Sequence, residues 1–136
     1  MKRGILFAAA ALLAGVGLSA LFAQDGGYGG ALINAKEKAL RLKCQNNLKQ
    51  IHAALDEYRG KFDGYPSSLD ALVEKKILNA ALLRCPSANT SAGSIDYKID
   101  PSATDGRPLC CCKQAWHQGG RNVLKADGSV EWVKDK

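Results

Sequence analysis

Aromatic side chains are scarce in this sequence, at 7% of 136 residues, and only two histidines are present. With so little aromatic surface the chain can build only a modest core, and domains with small cores commonly rely on cross-links for stability. Its length gives room for one domain of ordinary size. We therefore expect a single small domain in which covalent bonds supplement packing.

Recognised catalytic and nucleotide-binding patterns are also missing. His52 and His117 stand at no catalytic spacing from a Ser, a Cys or a carboxylate. Gly119 and Gly120 lack the longer glycine pattern and the following helix of a phosphate-binding loop. With a formal net charge of +6, Lys and Arg are scattered among acidic residues and form no basic stripe. We expect a protein that is not an enzyme, binds no nucleic acid and carries no cofactor.

The N-terminus has the pattern of an export signal. Basic residues precede residues 5–23, a run without a charge, and polar residues follow it. Small side chains make Ala23 the best cleavage position, directly before Gln24, while the run is close to the roughly 20 residues that span a bilayer. We expect residues 1–23 to be a signal peptide or an inner-membrane anchor, and the protein to be exported to the periplasm or anchored facing it.

A linker and a domain are predicted after the leader. Residues 24–30 are glycine-rich, and glycine gives up much backbone entropy when ordered into a helix, so we expect a flexible linker there and the domain over residues 31–136. From Ala31 to Arg59 apolar residues recur at spacings of three and four, which predicts an amphipathic helix that ends at Gly60. The stripe consists of Leu40, Cys44, Leu48, Ile51, Leu55 and Tyr58.

The second half of the chain changes character. A short second helix is predicted after Pro66, and beyond Pro86 the helical period gives way to short apolar runs with turn residues, which are typical of strands. Asp127 and Gly128 stand between two such runs and predict a tight hairpin with positive φ at both central residues. Helices followed by strands place the chain in the α+β class.

Five cysteines in an exported chain permit disulfides. They are Cys44, Cys85, Cys110, Cys111 and Cys112. Because neighbouring side chains of a strand point to opposite faces, Cys110 and Cys112 share one face and Cys111 takes the other. We expect a structural disulfide between Cys85 and one member of the Cys110–Cys112 group, and pairing of Cys44 with a second member would join the helix to the sheet. The connectivity stays open at this point.

Zinc is the alternative chemistry for the same residues. Thiolates of the Cys110–Cys112 group and the imidazole of His117 are suitable ligand types. Their spacing matches no common zinc-binding motif, however, and export favours oxidation of thiols. We therefore expect no metal site.

Two segments resemble pilin and pseudopilin-like proteins, notably the large set found in planctomycetes. The first runs from Cys44 to Ile51 and continues to residues 64–66. The second is His117, followed by nine residues and then by Asp127 and Gly128, which is similar to the C-terminal motif of that set. The resemblance implies a long N-terminal helix packed on a small antiparallel sheet, with the apolar N-terminus as membrane anchor and filament core.

The C-terminal motif also implies roles for its residues. The histidine at His117 precedes a turn at Gly119 and Gly120, and we expect its ring to hydrogen-bond the backbone near the Asp127 and Gly128 hairpin. All five residues are thus expected to be structural.

The start of the chain departs from the pilin pattern. A prepilin signal has glutamate at the fifth mature position, whereas Gly4 is followed by five apolar residues. The prepilin signal is therefore degenerate or replaced. We expect an exported, non-enzymatic pilin-like assembly or scaffold protein, with protein partners that are further copies or components of a type II secretion or type IV pilus-like system. The rival is a small periplasmic thiol- or metal-handling protein that uses Cys110–Cys112 and His117.

We predict cleavage by an ordinary signal peptidase after Ala23, because the prepilin glutamate is missing and small residues precede this position. The intact mass of the exported protein should correspond to a chain that begins at Gln24. A mature N-terminus at Ile5 would instead restore the prepilin route, and an uncut chain would mean that the apolar run is an anchor.

Overall fold

The computed structural model describes residues 25–136, with side chains from residue 29 onward, and it has the α+β class expected from the sequence. The cleavage position at Ala23 and Gln24 lies outside the described residues. The elements are helices α1 (Asp25–Phe62) and α2 (Asp70–Glu74), a 3₁₀ helix (Ala80–Leu83), and strands β1 (Tyr97–Ile99), β2 (Pro108–Cys112), β3 (Gly120–Lys125) and β4 (Val130–Lys134). No helix of this described part is both long and apolar enough to cross a membrane.

Helix α1 is longer than the sequence predicts at both ends. It begins at Asp25, so the glycines expected to form a linker lie in its first turns. Each helical glycine costs about 1 kcal/mol, but every added residue also gains a backbone hydrogen bond once a helix has started. At the other end Gly60 does not stop the helix. Asp63 does so, in the left-handed conformation with φ 56°, and its backbone N–H donates to the Arg59 carbonyl at 3.0 Å.

The chain divides into two units, with the boundary between Ala35 and Lys36. The second contains a four-stranded antiparallel sheet in the order β1-β2-β3-β4, so each strand pairs with its neighbour in sequence. The apolar stripe of α1 packs on this sheet, and Cys44, Leu48, Ile51 and Leu55 have no exposed surface. The division of residues 1–30 into signal and linker stays a prediction.

The inner face of the sheet follows strand alternation. Cys112 lies opposite Tyr97 and Cys110 lies opposite both Ile99 and Leu124 in the register of β1, β2 and β3. Cys110 and Cys112 belong to the core, whereas Cys111 pairs with Lys98 and Val123 and lies outside the core cluster. The group of three cysteines is therefore split between the two faces, as the alternation predicts.

The connection between β3 and β4 is longer than a two-residue hairpin. Gly128 N–H donates to the Lys125 carbonyl at 3.0 Å, and Lys125 N–H donates to the Ser129 carbonyl at 2.9 Å. Gly128 has φ +86°, but Asp127 is not among the residues with positive φ. The expectation of positive φ at both positions is wrong, because a turn followed by one left-handed residue closes this loop. Asp127 Oδ1 instead accepts from the Ser129 N–H at 2.8 Å.

We predict that Gly128→Ala destabilises the fold more than Gly93→Ala does. Both glycines have nearly equal φ, +86° and +85°, but a Cβ at Gly128 would lie 2.9 Å from the His52 ring whereas one at Gly93 meets nothing within 4 Å. Backbone strain of about 1 kcal/mol is common to both variants, so the difference in denaturant midpoints measures the contact with His52. Equal midpoints would contradict this packing, and adding His52→Ala should recover part of the loss at Gly128.

Candidate functional site

Three thiols and one imidazole meet in the core. The Sγ atoms of Cys44, Cys85 and Cys112 and a ring nitrogen of His117 all lie within 4.8 Å of one another. Cys44 Sγ is 3.5 Å from Cys112 Sγ, and Cys85 Sγ is 3.3 Å from His117 Nε2. The four side chains are between 0% and 3% exposed. We call this group the Cys3His cluster.

Each member of the Cys3His cluster comes from a different segment. Cys44 belongs to the buried stripe of α1, one turn before Leu48, and Cys112 ends β2 on the inner face of the sheet. Cys85 follows the 3₁₀ helix, and His117 lies in the connection between β2 and β3. The cluster therefore forms only when the helix, the loop and the sheet are all in place.

The loop that carries Cys85 is organised by a buried carboxylate. Asp96 is 1% exposed, and its oxygens accept from the Cys85 N–H at 2.9 Å, the Thr90 hydroxyl at 3.0 Å and the Ser94 hydroxyl at 3.1 Å. The Asp96 N–H donates in turn to the Leu83 carbonyl at 2.9 Å. Buried polar groups are costly unless they are hydrogen-bonded, and both carboxylate oxygens of Asp96 accept hydrogen bonds. Asp96 thus fixes the backbone at Cys85.

The position of His117 depends on tight turns around it. Its N–H donates to the Gly120 carbonyl at 3.0 Å, and its own carbonyl accepts from the Trp132 indole N–H at 3.0 Å. Gly119 has φ +77°, and a Cβ at Gly120 would lie 2.5 Å from the Val133 carbonyl oxygen, so both positions require glycine.

The ring of His117 does not reach the Asp127 and Gly128 hairpin, contrary to the expectation from the C-terminal motif. Its Nδ1 lies 3.1 Å from Ser87 Oγ, and its Nε2 points to Cys85. The imidazole beside the hairpin is His52, with Nε2 3.5 Å from the Ala126 carbonyl. The hairpin therefore packs on α1, and the His117 ring is free to take part in the Cys3His cluster.

The three thiols of the Cys3His cluster differ in the direction of their pKa shifts. The pKa of Cys44 lies far below its usual range because its sulfur is hydrogen-bonded with Cys112 and then with Cys85. The same contacts with Cys44 and Cys85 raise the pKa of Cys112. The hydrogen bond with Cys112 lowers the pKa of Cys85, but the bond with Cys44 and burial outweigh it and raise that pKa to about 12. Contacts among the three sulfurs therefore lower the pKa of Cys44 and raise those of Cys85 and Cys112.

The hydroxyl of Tyr97 lies beside the Cys44 sulfur. It can donate to Cys44 Sγ or to the Arg84 carbonyl, each at 3.4 Å, and burial, followed by the charge on Cys44, raises the pKa of Tyr97. It is therefore a neutral donor. Such a group of donor atoms has two chemical outcomes: two sulfurs can be oxidised to a disulfide, or the three sulfurs and the imidazole can hold a divalent cation.

All five cysteines lie in the described part of the chain and are free thiols. The expected bond between Cys85 and the Cys110–Cys112 group is thus not formed here, although Cys85 and Cys112 are brought together, and the disulfide stays a prediction. Cys110 and Cys111 take no part in the Cys3His cluster. Burial raises the pKa of both thiols.

Three polar residues near the site were missed by sequence reasoning. Ser87 contacts the imidazole and Asp96 holds the Cys85 loop. Asn122, with no exposed surface, donates to the Arg41 carbonyl at 3.0 Å and joins β3 to α1. A Ser or an Asn in a strand or loop is common in any surface segment, so the sequence carried no signal for these roles.

Comparison with known proteins gives one partial match. The model of the family described as SBP_bac_10, protein of unknown function (DUF1559), matches residues 34–80, about a third of the chain. This segment contains Cys44 and the whole of the first pilin-like segment, but neither the other three members of the Cys3His cluster nor the motif from His117 to Gly128. No curated protein and no solved structure matches the chain.

We predict that Asp96→Ala lowers the free energy of unfolding by about 1–3 kcal/mol, because it leaves buried donors without an acceptor. Asp100→Ala is the matched control, since Asp100 also accepts from a nearby serine, Ser102, but is exposed. The control should change stability by less than about 0.5 kcal/mol. Urea unfolding measures both variants, and equal losses would contradict the role assigned to Asp96.

Proposed function

We propose that the protein is an exported, non-enzymatic, pilin-like assembly component. The observation that carries the proposal is α1, a helix of 38 residues that precedes a small antiparallel sheet and is only partly used by the core. The partial family match, which covers much of the same helix, is compatible with it. The partners we propose are further copies of the chain or components of a type II secretion or type IV pilus-like system, at the periplasmic side of the inner membrane.

Exposed apolar residues in the early part of α1 support an assembly role. Leu32 is 71% exposed, Ile33 is 65% exposed and Leu42 is 50% exposed. Burying one such side chain fully is worth about 1.5–3 kcal/mol, and contiguous exposed apolar residues often mark protein interfaces. A second protein that covered Leu32 and Ile33 would gain this free energy.

The burial of the Cys3His cluster supports a non-enzymatic role. A general base or a nucleophile has to reach its substrate, whereas His117 is 1% exposed and Cys44 and Cys112 are 0% exposed. The same burial weighs against a thiol- or metal-handling protein, which would pass its cargo to a partner through an accessible site.

We predict that the double substitution Leu32→Ser and Ile33→Ser weakens self-association of the exported protein at least about tenfold, because it removes apolar surface worth more than 1.4 kcal/mol. Val133→Ser, at an apolar side chain of β4 that is 40% exposed, is the control and should leave association unchanged. Sedimentation equilibrium gives the constants. A wild-type chain that stays monomeric and captures no secretion or pilus component on cross-linking in cells would contradict the proposal.

A further inference from the structure

We propose that the Cys3His cluster binds one Zn²⁺ in a closed tetrahedral site. Three thiolates and one imidazole are a common ligand set of structural zinc sites, and thiolate-rich tetrahedral sites select zinc among the common divalent ions. The ligands are Cys44, Cys85, Cys112 and the Nε2 atom of His117. This inference goes beyond the assembly role and does not depend on it.

The distances between the donor atoms fit this coordination. Zinc bonds of about 2.3 Å to sulfur and about 2.0 Å to nitrogen place two sulfurs about 3.8 Å apart, and a sulfur and a nitrogen about 3.5 Å apart, at the corners of a tetrahedron. The corresponding separations here are 3.5 Å between Cys44 and Cys112 and 3.3 Å between Cys85 and His117. All other pairs lie within 4.8 Å. Small side-chain movements complete the site.

The residues around the cluster are those that a zinc site needs. Ligating histidines usually donate their second ring N–H to an oxygen, which fixes the tautomer and the ring orientation. Ser87 Oγ lies 3.1 Å from His117 Nδ1 and would accept that hydrogen bond while Nε2 binds the metal. Tyr97 donates to Cys44 Sγ at 3.4 Å and so stabilises the negative charge on the sulfur.

A metal ion also accounts for all four groups, which a disulfide does not. A bond between two of the three sulfurs would leave the third thiol and the Nε2 atom of His117 buried beside it. Zinc coordinates all of them, releases the protons of the thiols, and leaves a site with a net charge of −1 from three thiolates, one neutral imidazole and Zn²⁺. Since no ligand is more than 3% exposed, no position is open to water or substrate and the site is structural.

The first test uses the full exported chain without a metal-affinity tag, purified under an inert atmosphere without reductant or chelator. We expect one zinc per chain by elemental mass spectrometry and five free thiols after denaturation. Replacement of zinc by Co²⁺ should give the intense visible absorption of a tetrahedral thiolate site, and removal of the metal should lower Tm by more than about 10 °C. Three thiols without metal would show a disulfide instead, and five thiols without metal would show an empty thiol cluster; either result overturns the proposal.

Variants assign the ligands. Cys112→Ser and His117→Ala should lose zinc, whereas Cys111→Ser, the neighbouring thiol on the other face of β2, should keep one zinc per chain. Loss of zinc from Cys111→Ser would overturn the assignment.

Ser87→Ala tests the positioning contact in a chain that keeps all four ligands: its zinc affinity, measured by competition with a chromophoric chelator, should fall about 10- to 100-fold. Ser91→Ala, in the same loop but exposed, is its control, and equal affinities would remove Ser87 from the site.

Discussion

Helix α1 packs on the inner face of the sheet, and the rest of the structure depends on this contact. At its centre the Cys44 and Cys112 sulfurs are 3.5 Å apart, with the Tyr97 hydroxyl 3.4 Å from Cys44. A chain with 7% aromatic residues has little large apolar surface for this interface. Small, polarisable sulfur atoms fill part of it. Unlike apolar side chains, these atoms can form disulfides or bind metal ions.

Buried polar contacts give this interface its register. Asn122 of β3 donates to the Arg41 carbonyl of α1, and Asn47 donates to the Arg84 carbonyl next to Cys85. If the helix shifted along the sheet, these groups would lose their partners, at a cost in folding free energy of about 1–3 kcal/mol each. The amides therefore fix where the helix lies along the sheet, and that position decides which cysteines meet.

Sequence reasoning succeeded where a periodic pattern carried the signal. The spacing of Leu48, Ile51 and Leu55 predicted the buried face of α1, and strand alternation separated Cys111 from its neighbours.

Sequence reasoning failed where the outcome depends on tertiary contacts. Gly60 is tolerated in a helix that Asp63 terminates, and the Cys3His cluster draws its members from four separate segments. The four residues of the cluster are too scattered along the sequence to form a recognisable zinc motif, and only the fold brings them together.

The Cys3His cluster is buried, whereas Leu32 and Ile33 of α1 are exposed. Leu32 and Ile33 belong to the unit that precedes Lys36, whereas all four cluster residues belong to the unit Lys36–Lys136. Changes in the bonding of the sulfurs therefore act first on the stability of that second unit. For a small domain with a total stability of about 5–15 kcal/mol, bonding of these sulfurs would add to packing that is already formed with free thiols.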